Sequence, residues 1–410
     1  MGLFSGFSVH ARHRDGAHCG NDRGQTPPDK PCRRKHHASR LIAVAALVVW
    51  PGVAAAETLR FATFNTDLSR RGPGLLLRDI ERKDDPQIDA VVAIIADVSP
   101  DVLLLTGLDW DLDGLALAAL AEALATAGTN YPHRFAPRPN SGLMTDVDLD
   151  GDGRYGGPRD AQGFGRFTGE GAMALLSRWP IDNGAVRNFS GLLWQDLPGA
   201  TLPVRGGKPF PSARAQSVQR LSSVGHWGVP VAVPGGPVWV LGFHATPPVF
   251  DGAEDRNGLR NRDEAALWLR WLDGTLAPPP PQGPLVLMGD ANLDPVDGDG
   301  LPGALNALLN HDRLYDPKPA STGGAEAARR QGGANTDHAG DPALDTVDWP
   351  DASDSGRNAP GNLRVDYVLP SRDLTVRDAG VFWPEDPTAL ARADAASRHR
   401  LVWVDVEIPD

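Results

Sequence analysis

The chain has 410 residues, 40 Lys+Arg against 52 Asp+Glu, and a formal net charge of −12 at pH 7. That balance opposes loose, non-specific attraction to DNA or anionic membranes. The only two cysteines, Cys19 and Cys32, lie near the N-terminus, so the remainder holds no disulfide, thiol nucleophile or cysteine-ligated zinc.

Residues 1–40 are polar and basic, and Leu41–Trp50 is a short apolar run. Pro51-Gly52 and the small residues Val53–Ala56 then precede Glu57. This order predicts an export signal over 1–56 with a long n-region, cleaved before Glu57. The apolar run is short for a transmembrane span, so an uncleaved anchor is the lesser alternative. The leader holds 8 Lys+Arg and 3 Asp+Glu, which leaves 32 basic and 49 acidic residues in 57–410, a net charge of −17. That part is expected to be one acidic domain, secreted or periplasmic, with no stable membrane insertion.

Leu59–Asn65 alternates and reads as a strand ending in Asn65; 87–98 has helical spacing; 101–106 reads as a buried strand and 115–127 as an Ala/Leu-rich helix. Residues 138–169, rich in Gly, Asp and Arg, predict a long loop, followed by a strand at 172–177. Val238–His244 reads as a strand ending in a histidine, Asn261–Leu272 as a helix, and 285–288 as a buried strand running into Gly289-Asp290-Ala291-Asn292. Residues 316–361 are loop-like, and 363–369 and 401–406 are late strands. Strands and helices alternate, with polar residues at strand ends, which predicts an α/β protein built on helix-covered sheets.

Polar side chains at such strand ends are where open α/β sheets place their chemistry. Asp290 and Asn292, two apart in an extended segment, point to one side. Together they can hold a divalent cation and a phosphate oxygen, or orient a water. Hydrolysing a phosphate ester needs charge neutralised on its oxygens, a positioned water and a protonated leaving group. A cation on oxygen ligands would supply the first, Asp290 close to His399 the second, and His244 paired with Glu170 the third. Of the six histidines after the leader (133, 226, 244, 311, 338 and 399), two fall in these segments.

Five segments stand in a fixed order: Phe64-Asn65-Thr66; Glu170 ahead of a strand; His244-Ala245-Thr246-Pro247; Gly289-Asp290-Ala291-Asn292; and Val365-Asp366-Tyr367 with Ser397-Arg398-His399. In this order they resemble the endonuclease/exonuclease/phosphatase superfamily, which includes pancreatic deoxyribonuclease, AP endonucleases, sphingomyelinases and inositol-phosphate phosphatases. The resemblance implies a two-sheet α/β sandwich flanked by helices and metal-dependent phosphoester hydrolysis. The cofactor would be Mg²⁺, with Mn²⁺ or Ca²⁺ as alternatives. It implies that Asn65 helps build the metal and phosphate site, that His244 contacts phosphate and acts as an acid, and that Glu170 pairs with His244. Asp290 and Asn292 would orient water and bind phosphate, and His399 would be a base or transition-state ligand. Asp366 matches a strand position near the metal.

Two positions depart from the family pattern. Gly107 stands where a metal-binding Glu is usual, with Asp109 two residues on as a substitute ligand. Arg398 stands where an Asp is usual, and would add positive charge for the phosphate. A further acidic run, Asp146, Asp148, Asp150 and Asp152, resembles half of a calcium loop, without the usual Glu at its end. The expected substrate is a phosphodiester, with nucleic acid first. A lipid-headgroup phosphodiesterase, a phosphomonoesterase, and a non-catalytic secreted binding protein with a degenerate metal site are the rivals. No protein partner is inferable.

Overall fold

In the computed structural model, which describes residues 57–349 and 359–409, β1 (Thr58–Asn65) and β2 (Val102–Leu108) run parallel, with Asn65 opposite Thr106. The leader, with Cys19 and Cys32, lies outside the described residues. β3 (His133–Phe135), β4 (Ala172–Ser177), β14 (Thr375–Val381) and β15 (Val402–Glu407) complete a six-stranded sheet in the order β14-β15-β1-β2-β4-β3. A second sheet has the order β13-β10-β9-β8-β5. Its strands are β5 (Arg187–Asn188), β8 (Gly225–Val233), β9 (Gly236–His244), β10 (Leu285–Asp290) and β13 (Asp366–Pro370). β6 (Val204–Arg205) with β7 (Lys208–Pro209), and β11 (Val347–Asp348) with β12 (Asn362–Leu363), form two small ribbons.

The period of two in each strand sorts its side chains between two cores. Leu59, Phe61 and Leu104 from one sheet meet Val238, Val240, Val286, Met288 and Val368 from the other. The alternate residues face outward onto helices. Ala62, Phe64, Leu103 and Leu105 share a core with Ile80, Ile95 and Leu120 of α1 (Leu75–Arg82), α2 (Pro86–Val98) and α3 (Leu115–Thr126). Leu241, Phe243, Leu285 and Leu287 pack against Trp268 and Trp271 of α5 (Arg256–Leu272) and Leu308 of α6 (Gly303–Leu309). The result is the helix-flanked two-sheet sandwich that the resemblance implies.

The same alternation dictates where the polar strand ends point. Counting by two, Asn65 continues the inward face of Leu59 and Phe61, and Asp290 that of Val286 and Met288. His244 follows Val240, and Asp366 precedes Val368, on inward faces likewise. All four therefore end at one edge of the inter-sheet layer.

The strand at 172–177 lies where the sequence places it, and β9 begins two residues before the expected Val238. Helix α5 starts at Arg256, earlier than Asn261. The segment 316–361 is not loop throughout: Thr322–Gln331 forms α7, whose N-cap Ser321 accepts from Gly324 N at 3.1 Å. Among the described residues, the remaining α-helices are α4 (Ala213–Val218) and α8 (Pro387–Ala396).

Asp345 follows a 3₁₀ turn and is only 6% exposed. Burial, and then the nearby Asp294, Asp297 and Asp341, push its carboxyl up to about 8. Its folded pKa thus lies above the unfolded value, so the native state holds the proton more tightly. The contribution of this group to stability is full below about pH 4 and is lost as pH rises toward 8. Asp345→Asn is expected to abolish that decline. Thermal melts at pH 3.5 and pH 8.5 should show Tm rising at the higher pH and little change at the lower.

Candidate active site

The four inward-facing strand ends meet. Asn65 Nδ2 donates to Asp290 Oδ2 at 2.9 Å, across the two sheets. His244 Nε2 lies 3.4 Å from the same oxygen. Asp290 Oδ1 accepts from Asn292 N at 2.7 Å, which closes a tight turn with Asn292 in the left-handed region at φ 50°. The carboxylate is wholly buried, and burial followed by the neighbouring Asp366 raises its pKa, against His399 and His244.

His399 enters from the segment before β15. Its Nδ1 donates to Asp366 Oδ2 at 2.8 Å, and its Nε2 lies 3.4 Å from Asn65 Nδ2. Thr346 Oγ1 also donates to Asp366 Oδ2 at 3.0 Å, and receives the backbone N–H groups of Val365 and Asp366. Ser397 Oγ ties this segment to β1 by donating to Asn65 O at 2.7 Å. Burial opposes charge on His399, but Asp366 and then Asp290 overcome it and lift the imidazole to about 9. His244 differs: burial outweighs Asp290 and lowers its pKa. The Nδ1 of His244 is buried without a partner.

Asp290, rather than Asp366, was the expected partner of His399. The nearest Asp290 oxygen lies 4.0 Å from Nδ1, whereas Asp366 takes the hydrogen bond. The reason is pairing register: Asp366 stands directly opposite Asp290 in the β10–β13 ladder, so both carboxylates reach one place. Asn292 Nδ2 donates to Ala245 O at 2.8 Å, so this amide already clamps two loops together.

Glu170 is not brought to His244. It is held by Arg166, through both the guanidinium and the backbone N–H, inside its own loop. Asp109 likewise does not join Asn65, Asp290 or His399 by any hydrogen bond or ion pair among the described residues. Its Oδ2 accepts from Arg70 N at 2.9 Å, and burial lifts it to about 6, with Glu170 adding to the rise. The expectation assumed an extended chain, but Gly107 sits in a β-bulge where the β2–β4 register shifts between Thr106 and Leu108. Gly107 has φ 70°, and a Cβ there would lie 2.1 Å from Asn65 Oδ1. The place of the usual Glu is thus closed to any side chain unless Asn65 moves.

Arg398 lies over the Trp349 ring at 4.7 Å, and its Nε is 3.2 Å from Asp67 Oδ2. Asp67, two residues after Asn65, is a site residue that the sequence reading missed. Asp67 ionises below the usual carboxylate range: burial opposes this, but His399 and Arg398 prevail. Two residues of α5 were also missed. Asn261 Nδ2 donates to Thr246 O and Ala291 O, both at 2.7 Å, and Glu264 accepts from Thr246 N at 2.7 Å and Ser223 N at 2.6 Å. They pin the loops that follow His244 and Asp290. The only signal for them in sequence is an unusually polar stretch, Arg260–Glu264, on a helix that packs against a sheet.

Asp290, Asp366 and His399 could hold a metal ion, since each offers a ligand atom within 4.8 Å of the others. A buried carboxylate oxygen without any partner, Asp366 Oδ1, fits that use. Two carboxylates and an imidazole suit a divalent cation. In the acidic loop, Asp148, Asp150 and Asp152 approach one another in the same way. Asp146 stands apart, 89% exposed at its side chain and 4.0 Å from Arg214. Asp148 already accepts from Gly151 N and Gly153 N, as an ordinary turn would require.

Residues 62–399 match the Endonuclease/Exonuclease/phosphatase family. Similar solved structures include an endonuclease/exonuclease/phosphatase from Beutenbergia cavernae DSM 12333, at 21% identity and TM-score 0.47, covering 86% of this chain and 72% of that one. A family protein from Leptotrichia buccalis C-1013-b has 16% identity and TM-score 0.45, covering 85% and 99%. Truncated Caenorhabditis elegans TDP2 has 13% identity and TM-score 0.42, covering 85% and 97%. No curated protein matches the chain. The family match extends from β1 to His399, the span that contains every strand end gathered at the site, and the chain belongs to the Endonuclease/Exonuclease/phosphatase family.

Proposed function

We propose that the protein hydrolyses a phosphoester, in the first instance a phosphodiester, by direct attack of water on phosphorus. The leader at 1–56 supports its doing so outside the cytoplasm. Members of the family are generally phosphoester hydrolases that use divalent metals. The observation that carries the reading is the convergence of Asn65, His244, Asp290, Asp366 and His399 at one end of the sandwich.

Asp290, Asp366 and His399 would hold the cation, Mg²⁺ first, and when bound it would neutralise charge on the phosphate oxygens. Without it, the two carboxylates hold a proton on His399 instead, so cation binding should release that proton and strengthen with pH. Asp366 fixes the orientation of the His399 ring through Nδ1 and leaves Nε2 toward Asn65 and the site. Asp290 is placed to orient the attacking water. His244, neutral and beside Asp290, is placed to carry a proton. Arg398 offers a guanidinium to a phosphate oxygen. A nucleic-acid substrate loses its specific support, because Glu170 pairs with Arg166 and not with His244.

Gly107 and the bond of Asp109 to Arg70 favour one second reading, a binding protein without turnover. The deciding experiment incubates the purified protein with bis-p-nitrophenyl phosphate, p-nitrophenyl phosphate, plasmid DNA and sphingomyelin. Each is run with EDTA, Mg²⁺, Mn²⁺ or Ca²⁺. Turnover restored by a cation after EDTA is the expected result and ranks the substrates. Absence of turnover throughout would overturn the hydrolase reading in favour of binding.

A further inference from the structure

A cleft of about 470 Å³ opens beside Asn292 and Arg398. That volume falls among small-molecule pockets, roughly 300–1,000 Å³. Its walls are the direct continuations of the strand ends that carry the site. Pro247, Pro248 and Phe250 follow His244; Leu293 follows Asp290; Val365 precedes Asp366; Trp349 follows β11. Asn292 and Arg398 belong to the site and line the cleft too. A phosphate held by Arg398 would therefore lie at the edge of this space.

Among the described residues the walls are largely apolar, and the polar side chains on them are largely engaged. Asp294 accepts from Val296 N at 2.7 Å, Asp297 N at 3.0 Å and Arg364 N at 2.8 Å. The amide of Asn292 is given to Ala245 O, and Arg398 gives Nε and Nη2 to Asp67 while its side chain stays half exposed and open to a phosphate. Asp299, an exposed carboxylate, remains. Such a lining offers little to the hydrogen-bonding edge of a base, and much to a hydrocarbon or an aryl ring. Phe250, 62% exposed and at φ 70°, presents a large apolar face at the boundary of the cleft. A non-glycine residue in that region is uncommon and marks a position set by its surroundings.

We infer that the preferred substrate is a small phosphoester whose organic group is apolar, seated between Phe250 and Trp349, rather than a polynucleotide. This rests on the phosphoester reading and specifies its substrate. The net charge of −17 over 57–410 points the same way, since a polyanion is repelled over most of the surface.

Binding of non-hydrolysable phosphonates tests the cleft separately from turnover. Methyl-, butyl- and hexylphosphonate, benzylphosphonate and a short oligothymidylate are titrated calorimetrically into the protein, with the hydrolysis assay run in parallel. Kd should tighten about threefold to fourfold per methylene until the cleft is filled. Benzylphosphonate should bind at least tenfold tighter than methylphosphonate, and the relative strength of the hexyl and benzyl arms distinguishes an alkyl from an aryl source. Phe250→Ala and Val249→Asp, both on the cleft wall, should flatten the series while circular dichroism and Tm stay unchanged. A series flat in the unmodified protein, absence of phosphonate binding, or tighter binding of the oligonucleotide would overturn the inference. Chain-length dependence without hydrolysis of any ester would keep the cleft and remove the hydrolase reading.

Discussion

Asp290→Asn and His399→Ala should each lower kcat/KM for bis-p-nitrophenyl phosphate by about 10³-fold, within the 10²–10⁴ range of groups that move or hold protons. The double variant should lose little more than either alone, because residues acting as one unit are strongly non-additive. The stability readout separates this from simple damage. Asp290 is buried 0% exposed beside a second buried carboxylate, Asp366, and both burial and that neighbour raise its pKa. Replacing it by a neutral isostere removes the repulsion, so Tm should be held or raised while activity falls. Two carboxylates forced together in a core are a cost that a purely structural role does not explain, and a catalytic or cation-binding role does. If Asp290→Asn instead lowered Tm by several degrees and left turnover intact, the pair would be structural and the site would lie elsewhere.

What could be read from sequence follows from how local each signal is. The strand at Leu285–Asp290 and the one at Ala172–Ser177 are fully buried, and an unbroken apolar run marks such strands. β8 escaped notice because Gly228 and Pro230 interrupt it, although it pairs with β9 along its whole length. β14 escaped because it is an edge strand, exposed at Thr375, Arg377 and Asp378, with a bulge between Val376 and Asp378. At the site, Asn65, His244, Asp290, Asp366 and His399 were all legible as polar residues at strand ends, but their pairing was not. Which carboxylate serves His399 depends on the β10–β13 register, a long-range fact. The Asp109 expectation failed for a local reason: a bulge at Gly107 breaks the alternation on which the two-residue count relied. Asp67 was invisible because its partner Arg398 lies far along the chain.

Asn261 gives the other large effect, and it acts without touching a substrate. Its side chain is 1% exposed, and both amide hydrogens are committed to carbonyls, those of Thr246 and Ala291, in the two loops that leave β9 and β10. Neither carbonyl has another donor among the described hydrogen bonds. Asn261→Leu would leave two buried acceptors unpaired, at about 1–3 kcal/mol each, for a loss of roughly 2–6 kcal/mol in ΔG of unfolding by denaturant titration. The same change loosens the loop after His244 from the loop after Asp290, leaving between them the Asn292–Ala245 bond and the bond from Ala245 N to Asp290 O at 2.9 Å. A displacement near 1 Å in a positioned group can reduce a rate by about 10²-fold, so kcat should fall by about that factor with KM changed much less. Asn261→Asp is the informative companion, since a buried carboxyl kept protonated can still donate to one carbonyl. It should recover part of the stability and part of kcat below neutral pH. Equal losses in both variants at every pH would mean that helix packing, and not the shared amide, holds the two loops in place.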